Sequence, residues 1–239
     1  MTTIASGHVY DLFEGPALDM TRWFHLSFPL PDGTTFVAHE PEAEVTVGGG
    51  EVSVAVDRFT QGHPVQMADN CKFLVLSTED FALPGAGTVR FSASLAAERF
   101  DATPYDPRDG FAAFVLCDPV GGRVYDLCTS GDTVFAISEQ LPYPGVAAPF
   151  TRLVGDPLFG PDAVPGRYHD GEIVIDTAAR RITWRMDGRT LHEELAAGLP
   201  ASLKVGMGVF TAHPVVEGDS ESLLGQGLTA GWRDLRVRY

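Results

Sequence analysis

Positive charge is in short supply. The chain of 239 residues carries 17 Lys and Arg against 32 Asp and Glu, a formal net charge of −15. Duplex nucleic acid and anionic membranes are bound by cations that displace counterions from phosphates, so neither is an expected partner. The charge itself reads as solubility. A basic segment followed by an apolar run is missing from the opening, Met1-Thr2-Thr3-Ile4-Ala5-Ser6, so no signal peptide is expected. No apolar stretch approaches the roughly 20 residues that span a bilayer. Cysteine is scarce and odd in number. Cys71, Cys117 and Cys128 have no metal-ligand spacing and predict three free thiols in a reducing compartment, with the cytoplasm as the simplest location.

Helical periodicity is also scarce. Only Leu191 to Ala197 reads as a short helix, and it reads equally as a strand. What recurs instead is short alternating segments bounded by Gly, Pro and Asp, helped by 26 glycines and 17 prolines. They include Glu51 to Asp57, Thr88 to Glu98, Phe111 to Asp118, Arg123 to Cys128 and Thr133 to Gln140. Later come Glu172 to Asp176, Arg181 to Met186, Leu203 to Thr211 and Trp232 to Tyr239. This spacing predicts an all-β, two-sheet antiparallel jelly-roll sandwich, as a single domain over residues 1–239 without linker or repeat.

Turn positions set the expected registers. The connection Asp118 to Arg123 places Leu116 opposite Tyr125 and Phe114 opposite Leu127. A turn at Ser130-Gly131-Asp132 then places Tyr125 opposite Ile137 and Leu127 opposite Phe135. The large residues so aligned form a core face. The other face carries Ala113, Val115, Cys117, Val124, Asp126, Cys128, Val134, Ala136, Ser138 and Gln140. A solvated face would carry charges; this one is small and apolar with one carboxylate, as if to leave room for a ligand. The hairpin turning at Thr177-Ala178-Ala179 behaves differently. Ile173 and Ile175 pair with Trp184 and Ile182 towards the core, and Glu172 with Arg185 and Asp176 with Arg181 on a wet face.

Three landmarks resemble the concanavalin A-like lectin/glucanase superfamily. They are Asp11-Leu12-Phe13-Glu14-Gly15-Pro16 with Leu18-Asp19 and Trp23, the hairpin from Tyr168-His169-Asp170 to Met186-Asp187-Gly188, and the closing Trp232 to Tyr239. Their order along the chain implies a jelly roll of two antiparallel sheets. Glucanases of this superfamily carry a Glu-x-Asp-x-x-Glu or Glu-x-Asp-x-Glu strand whose acids serve a retaining mechanism. No such run occurs here, and Glu172 with Asp176 comes nearest, so no glycosidase residue is carried over.

Asp126 is the leading catalytic candidate, because a carboxyl on an apolar sheet face holds its proton to higher pH. Glu139 is expected in a salt-bridge cluster with Asp118 and Arg123; freed from it, Glu139 joins His213 as the next catalytic candidate. His213 sits at a strand end, where a cleft mouth would lie. Candidate binding residues are Asn70 and Lys72 at a strand entry, Tyr143 in an aromatic loop, Gln226 between glycines, Phe210 beside Gly206 and Gly208, and Trp23 with His25. Histidine spacing shows no metal site, and phosphate-loop, dinucleotide and nucleophile-elbow motifs are absent, so no cofactor is expected. These residues predict an intracellular isomerase, cyclase or lyase without organic cofactor, acting on a mid-sized, partly apolar metabolite as in natural-product tailoring. The resemblance implies the alternative, a carbohydrate-binding module or diverged glycoside hydrolase. A noncatalytic small-molecule binder is the third reading.

Overall fold

The computed structural model describes residues 8–30, 32–62, 70–143, 145–155, 163–216 and 219–239. Two large antiparallel sheets lie face to face, as the alternating pattern predicts. The back sheet is ordered Arg189–Leu195, Arg181–Met186, His169–Asp176, Thr88–Phe100, Gly227–Arg238, Glu51–Val56, Glu44–Gly48. The front sheet is ordered Phe150–Gly155, Val134–Gln140, Arg123–Thr129, Phe111–Cys117, Ser202–Thr211, Asn70–Ser77, Trp23–His25. Residues 191–195, ambiguous in sequence, are strand.

Period-two alternation delivers one face of each sheet to a shared core. Ile173, Ile175, Trp184 and Trp232 from the back sheet meet Phe114, Leu116, Tyr125 and Leu127 from the front one. The Trp232 indole N–H donates across the layers to the backbone carbonyl of Ala113 at 3.0 Å. Trp23, expected in a cleft wall, lies in this core. Its ring is fully buried against Tyr10 and Phe13, and its N–H is held by Asp11 at 2.7 Å.

The first front-sheet hairpin has the expected register, with Leu116 opposite Tyr125 and Phe114 opposite Leu127. The second differs by one residue. Its turn holds four residues, Ser130 to Thr133, closed by the Ser130 N–H on the Thr133 carbonyl at 3.0 Å, so Thr129 pairs with Val134. Asp132 is anchored in that turn by both oxygens on the Arg99 guanidinium at 2.7 Å and by the Tyr105 N–H. Gly131 has φ +92°, and a Cβ there would come within 2.6 Å of the Ala97 carbonyl oxygen. Because side chains alternate, this one extra residue turns the whole Val134–Gln140 strand over. Val134, Ala136 and Ser138 face the core, while Phe135, Ile137 and Glu139 face outward beside Asp126.

The back-sheet hairpin has the expected pairs, Ile173 with Trp184 and Glu172 with Arg185. Glu172 bridges Arg90 at 3.1 Å and Arg185 at 3.3 Å. Asp176 instead accepts the Ala179 N–H, and Arg181 pairs with Glu193 at 3.5 Å.

Candidate functional site

On the outer face of the front sheet, side chains fall into rows across the strands. One row runs Thr151, Glu139, Val124, Cys117, Lys204; the next runs Ile137, Asp126, Val115, Gly206. Glu139 and Asp126 are thus diagonal neighbours on adjacent strands. The salt-bridge cluster expected for Glu139 with Asp118 and Arg123 does not form, because the turned-over strand puts Glu139 and Arg123 on opposite faces.

Both carboxyls are buried, Asp126 1% and Glu139 3% exposed. Neither Asp126 oxygen has a hydrogen-bond partner among the described residues. Burial, and then the neighbouring Glu139, push the Asp126 carboxyl well above the usual carboxylate range. Burial likewise raises Glu139 to about 7, opposed by a hydrogen bond from the Thr151 hydroxyl. The Cys117 thiol, on the same face, is pushed up to about 12 by burial and then by Asp126, Asp118 and Glu139. All three cysteines are free thiols and buried, which makes them inert rather than reactive. What the arrangement offers is a pair of adjacent buried carboxyls, both holding their protons to higher pH than exposed acids.

The roomy, small-residue face expected around Asp126 is not present. Phe135, Ile137, Phe111 and Phe210 join Val115, Val124 and the cysteines in a second apolar core. Phe210 stacks on Phe111 at 5.6 Å, and its ring fills the space over Gly208, where a Cβ would meet it at 2.3 Å. The cover comes from the chain preceding the Asn70–Ser77 strand. Phe36 and Ala38 are buried in this core, with Phe24, Leu26, Phe28 and Leu30 packed on it. Leu141 and the half-buried Tyr143 close the Glu139 end; Tyr143 packs beside Gly122, and its phenol is raised by burial, then by Cys117 and Asp118.

The remaining sequence candidates gather at the far end of the sheet. His213 meets the buried Asp109 carboxylate at 2.6 Å. The Gln226 amide donates to the Asp109 and Ser222 carbonyls at 2.9 and 2.8 Å and accepts the Leu224 N–H. Lys72, fully buried, donates to the Ser222 hydroxyl at 3.0 Å and to the Gln61 carbonyl. Asn70 pairs across the strand with Thr211. His213, Gln226 and Lys72 form one hydrogen-bonded staple through Asp109 and Ser222, with His213 seven residues along the Ser202–Thr211 strand and its extension from the Asp126 row. The catalytic trio is therefore divided: Asp126 and Glu139 together, His213 elsewhere.

Sequence reading missed a rim cavity between the sheets, lined by Asp118, Arg123, Gln140, Phe150, Leu199 and Pro200 among others. It joins segments distant in the chain, and no local spacing announces it. Among the described residues no group of three or more His, Cys, Asp or Glu could hold a metal ion, and no helix is long and apolar enough to cross a membrane.

The profile of a family of unknown function, DUF6081, matches residues 13–239. No curated protein matches the sequence. Several solved structures share the architecture. The Bacillus licheniformis beta-glucanase superposes with TM-score 0.59 at 14% identity, covering 99% of this chain and 100% of that one. LamAcat from Zobellia galactanivorans superposes with TM-score 0.58 at 11% identity, covering 96% of each chain. A native glycosidic hydrolase superposes with TM-score 0.55 at 15% identity, covering 100% and 98%. The fold is thus the concanavalin A-like sandwich that the three sequence landmarks resemble. The expectation of a metabolite isomerase, cyclase or lyase is corrected here: the solved structures that share the fold are a glycosidic hydrolase and a beta-glucanase by name, nearer the alternative reading. That expectation rested on a vacant small-residue face, which the four-residue turn fills with Phe135 and Ile137.

Proposed function

The chain belongs to the DUF6081 family, and we propose that it is a carbohydrate-active protein, a diverged glycoside hydrolase whose acid–base centre is Asp126 with Glu139. The observation that carries this reading is the carboxyl pair itself: two adjacent buried acids on one sheet face, Glu139 raised to about 7 and Asp126 raised well above the usual carboxylate range, each chiefly by burial. Glycosidic cleavage needs a proton for the leaving oxygen and a second carboxyl to act as base or nucleophile. With both carboxyls raised, one of the pair supplies the proton and the other acts as base or nucleophile. Both carboxyls lie beneath a cover that includes Phe24, Leu26, Phe28, Phe36, Ala38 and Leu141, so access for a substrate requires that cover to lift. The fold neighbours, a beta-glucanase and a glycosidic hydrolase by name, support carbohydrate as the substrate class.

A second reading, glycan binding without cleavage, is favoured by one observation. Along the Arg123–Thr129 strand the outward positions are Val124, Asp126 and Cys128, the pitch of a Glu-x-Asp-x-Glu run with both flanking acids replaced. One experiment separates the two readings. Reducing-end release and retention on immobilised polysaccharide are measured across a panel of β-glucans and algal galactans. Cleavage that falls at least 100-fold in both Asp126→Asn and Glu139→Gln is expected. Retention without cleavage selects the binding reading; neither, or cleavage indifferent to both substitutions, overturns the proposal.

A further inference from the structure

The open cavity at the rim of the sandwich offers about 540 Å³, room for one sugar ring. It opens between the end of the front sheet, contributing Asp118, Arg123, Gln140 and Phe150, and the loop Ala197–Pro200 that follows the outermost back-sheet strand. Its walls are the core-side face of those front strands, so the cavity lies across the sheet from the Asp126–Glu139 pair.

Arg123 differs from the arginines that pair with carboxylates, such as Arg90 and Arg185 with Glu172 and Arg99 with Asp132. Arg123 forms no ion pair among the described residues. Its guanidinium lies 5.7 Å from the Tyr125 ring centroid and 5.3 Å from that of Phe150, and Arg152 approaches the same Phe150 ring at 4.5 Å. Set beside two rings and without a carboxylate partner, it is a cation available to a planar anion, which a guanidinium can bind through two parallel hydrogen bonds. Acids face the same region. Asp118 accepts the Val120 N–H through one oxygen, and Glu194 accepts the Ser138 hydroxyl behind Tyr125. The Gln140 amide N–H donates to the Gly121 carbonyl at 2.8 Å, which leaves its carbonyl oxygen as an acceptor.

A ligand satisfying this set must carry a carboxylate for Arg123 and hydroxyl donors for Asp118 and Gln140. It must also present an apolar face to Phe150, Leu199 and Pro200. A simple carboxylic acid lacks the hydroxyls, and a neutral sugar lacks the charge. We infer that the rim cavity is a subsite for a uronic acid residue, free or at the end of a glycan, with Arg123 as its carboxylate-binding residue. This inference deepens the carbohydrate reading above and rests on it for the ligand class.

Titration of the whole protein with galacturonate and glucuronate, followed by ligand-observed NMR and calorimetry, tests it against galactose, glucose and acetate as probes. Uronates are expected to bind at least tenfold more tightly than either the neutral sugars or acetate. Arg123→Gln should reduce uronate binding to the neutral-sugar level, and Arg123→Lys should lose most of it by removing the two-pronged geometry. Glu172→Ala, on the outer face of the back sheet, should leave it unchanged. Uronate binding no tighter than that of neutral sugars or acetate, or persisting in Arg123→Gln, overturns the inference. Loss of it with polysaccharide cleavage intact would leave the proposed function standing, and Arg123-dependent binding without any action on polysaccharide would do the reverse.

Discussion

The two sheets of this sandwich each have an outer face, and the two faces are built on opposite terms. The back one carries Arg90, Glu172 and Arg185 in a half-exposed ion-pair ladder, with Ser94 on Asp170 beside it. The front one is a second apolar core containing two carboxyls that no arginine or lysine pairs with among the described residues. In the ladder, water solvates each charge and the pairs contribute little. Under the front cover the carboxyls are buried from solvent, and the same functional group holds its proton instead. Equal chemistry on equal backbone thus yields solubility on one side and a titrating centre on the other.

The comparison can be broken most severely through packing. Phe135→Ala is expected to cost about 3–5 kcal/mol in guanidinium unfolding, the price of a large cavity in a core; a loss below about 1 kcal/mol would make the front face solvent-like after all. Acidity gives the next largest effect. Glu139 shifts from 4.5 in the unfolded chain to about 7 when folded, so the unfolded state releases its proton first as pH rises. The stability it contributes is complete below about pH 4.5 and lost through pH 7, roughly 3 kcal/mol by pH 8. Asp126, also raised, adds in the same direction. Denaturant unfolding at pH 5 and pH 8 measures this, and Glu139→Gln should flatten the difference. Asp126→Asn, removing an unpartnered acid at a buried site, should match or exceed the parent by up to about 1 kcal/mol at pH 8. A clear destabilisation there would mean that Asp126 is structural. The smallest change belongs to the back face, where Glu172→Ala should cost no more than about 0.5–1 kcal/mol despite losing two ion pairs, with the effect fading in high salt.

Much of the architecture is legible in the residues because alternation and turns are local signals. The Asp118–Arg123 connection and the Ile173–Trp184 pairing can be counted directly. The Ser130 turn cannot. Three or four residues fit the same Ser-Gly-Asp-Thr string, and the choice rests on Arg99, about thirty residues away, gripping Asp132. Asp126 is legible as a buried acid, since its face depends only on the first hairpin, whereas the face of Glu139 depends on the second. His213, Gln226 and Lys72 look like site residues in sequence because they are polar among loops and glycines. Their hydrogen bonds to Asp109 and Ser222 come from segments more than a hundred residues apart. The rim cavity likewise joins strand ends of one sheet to a loop of the other.

The Ser130–Thr133 turn also bears on how such a centre arises and disappears during divergence. Its length acts as a reading frame for the strand that follows. Deleting one of its residues would exchange Phe135, Ile137 and Glu139 for Ala136, Ser138 and Gln140 on the outer surface in a single event. The second core would lose its largest members and Asp126 its neighbour, with every residue beyond the loop unchanged. Relatives differing only in that loop would then carry nearly the same composition and opposite surfaces. Alignment of side-chain identities alone would score such chains as close, while a gap of one position would mark the change in chemistry.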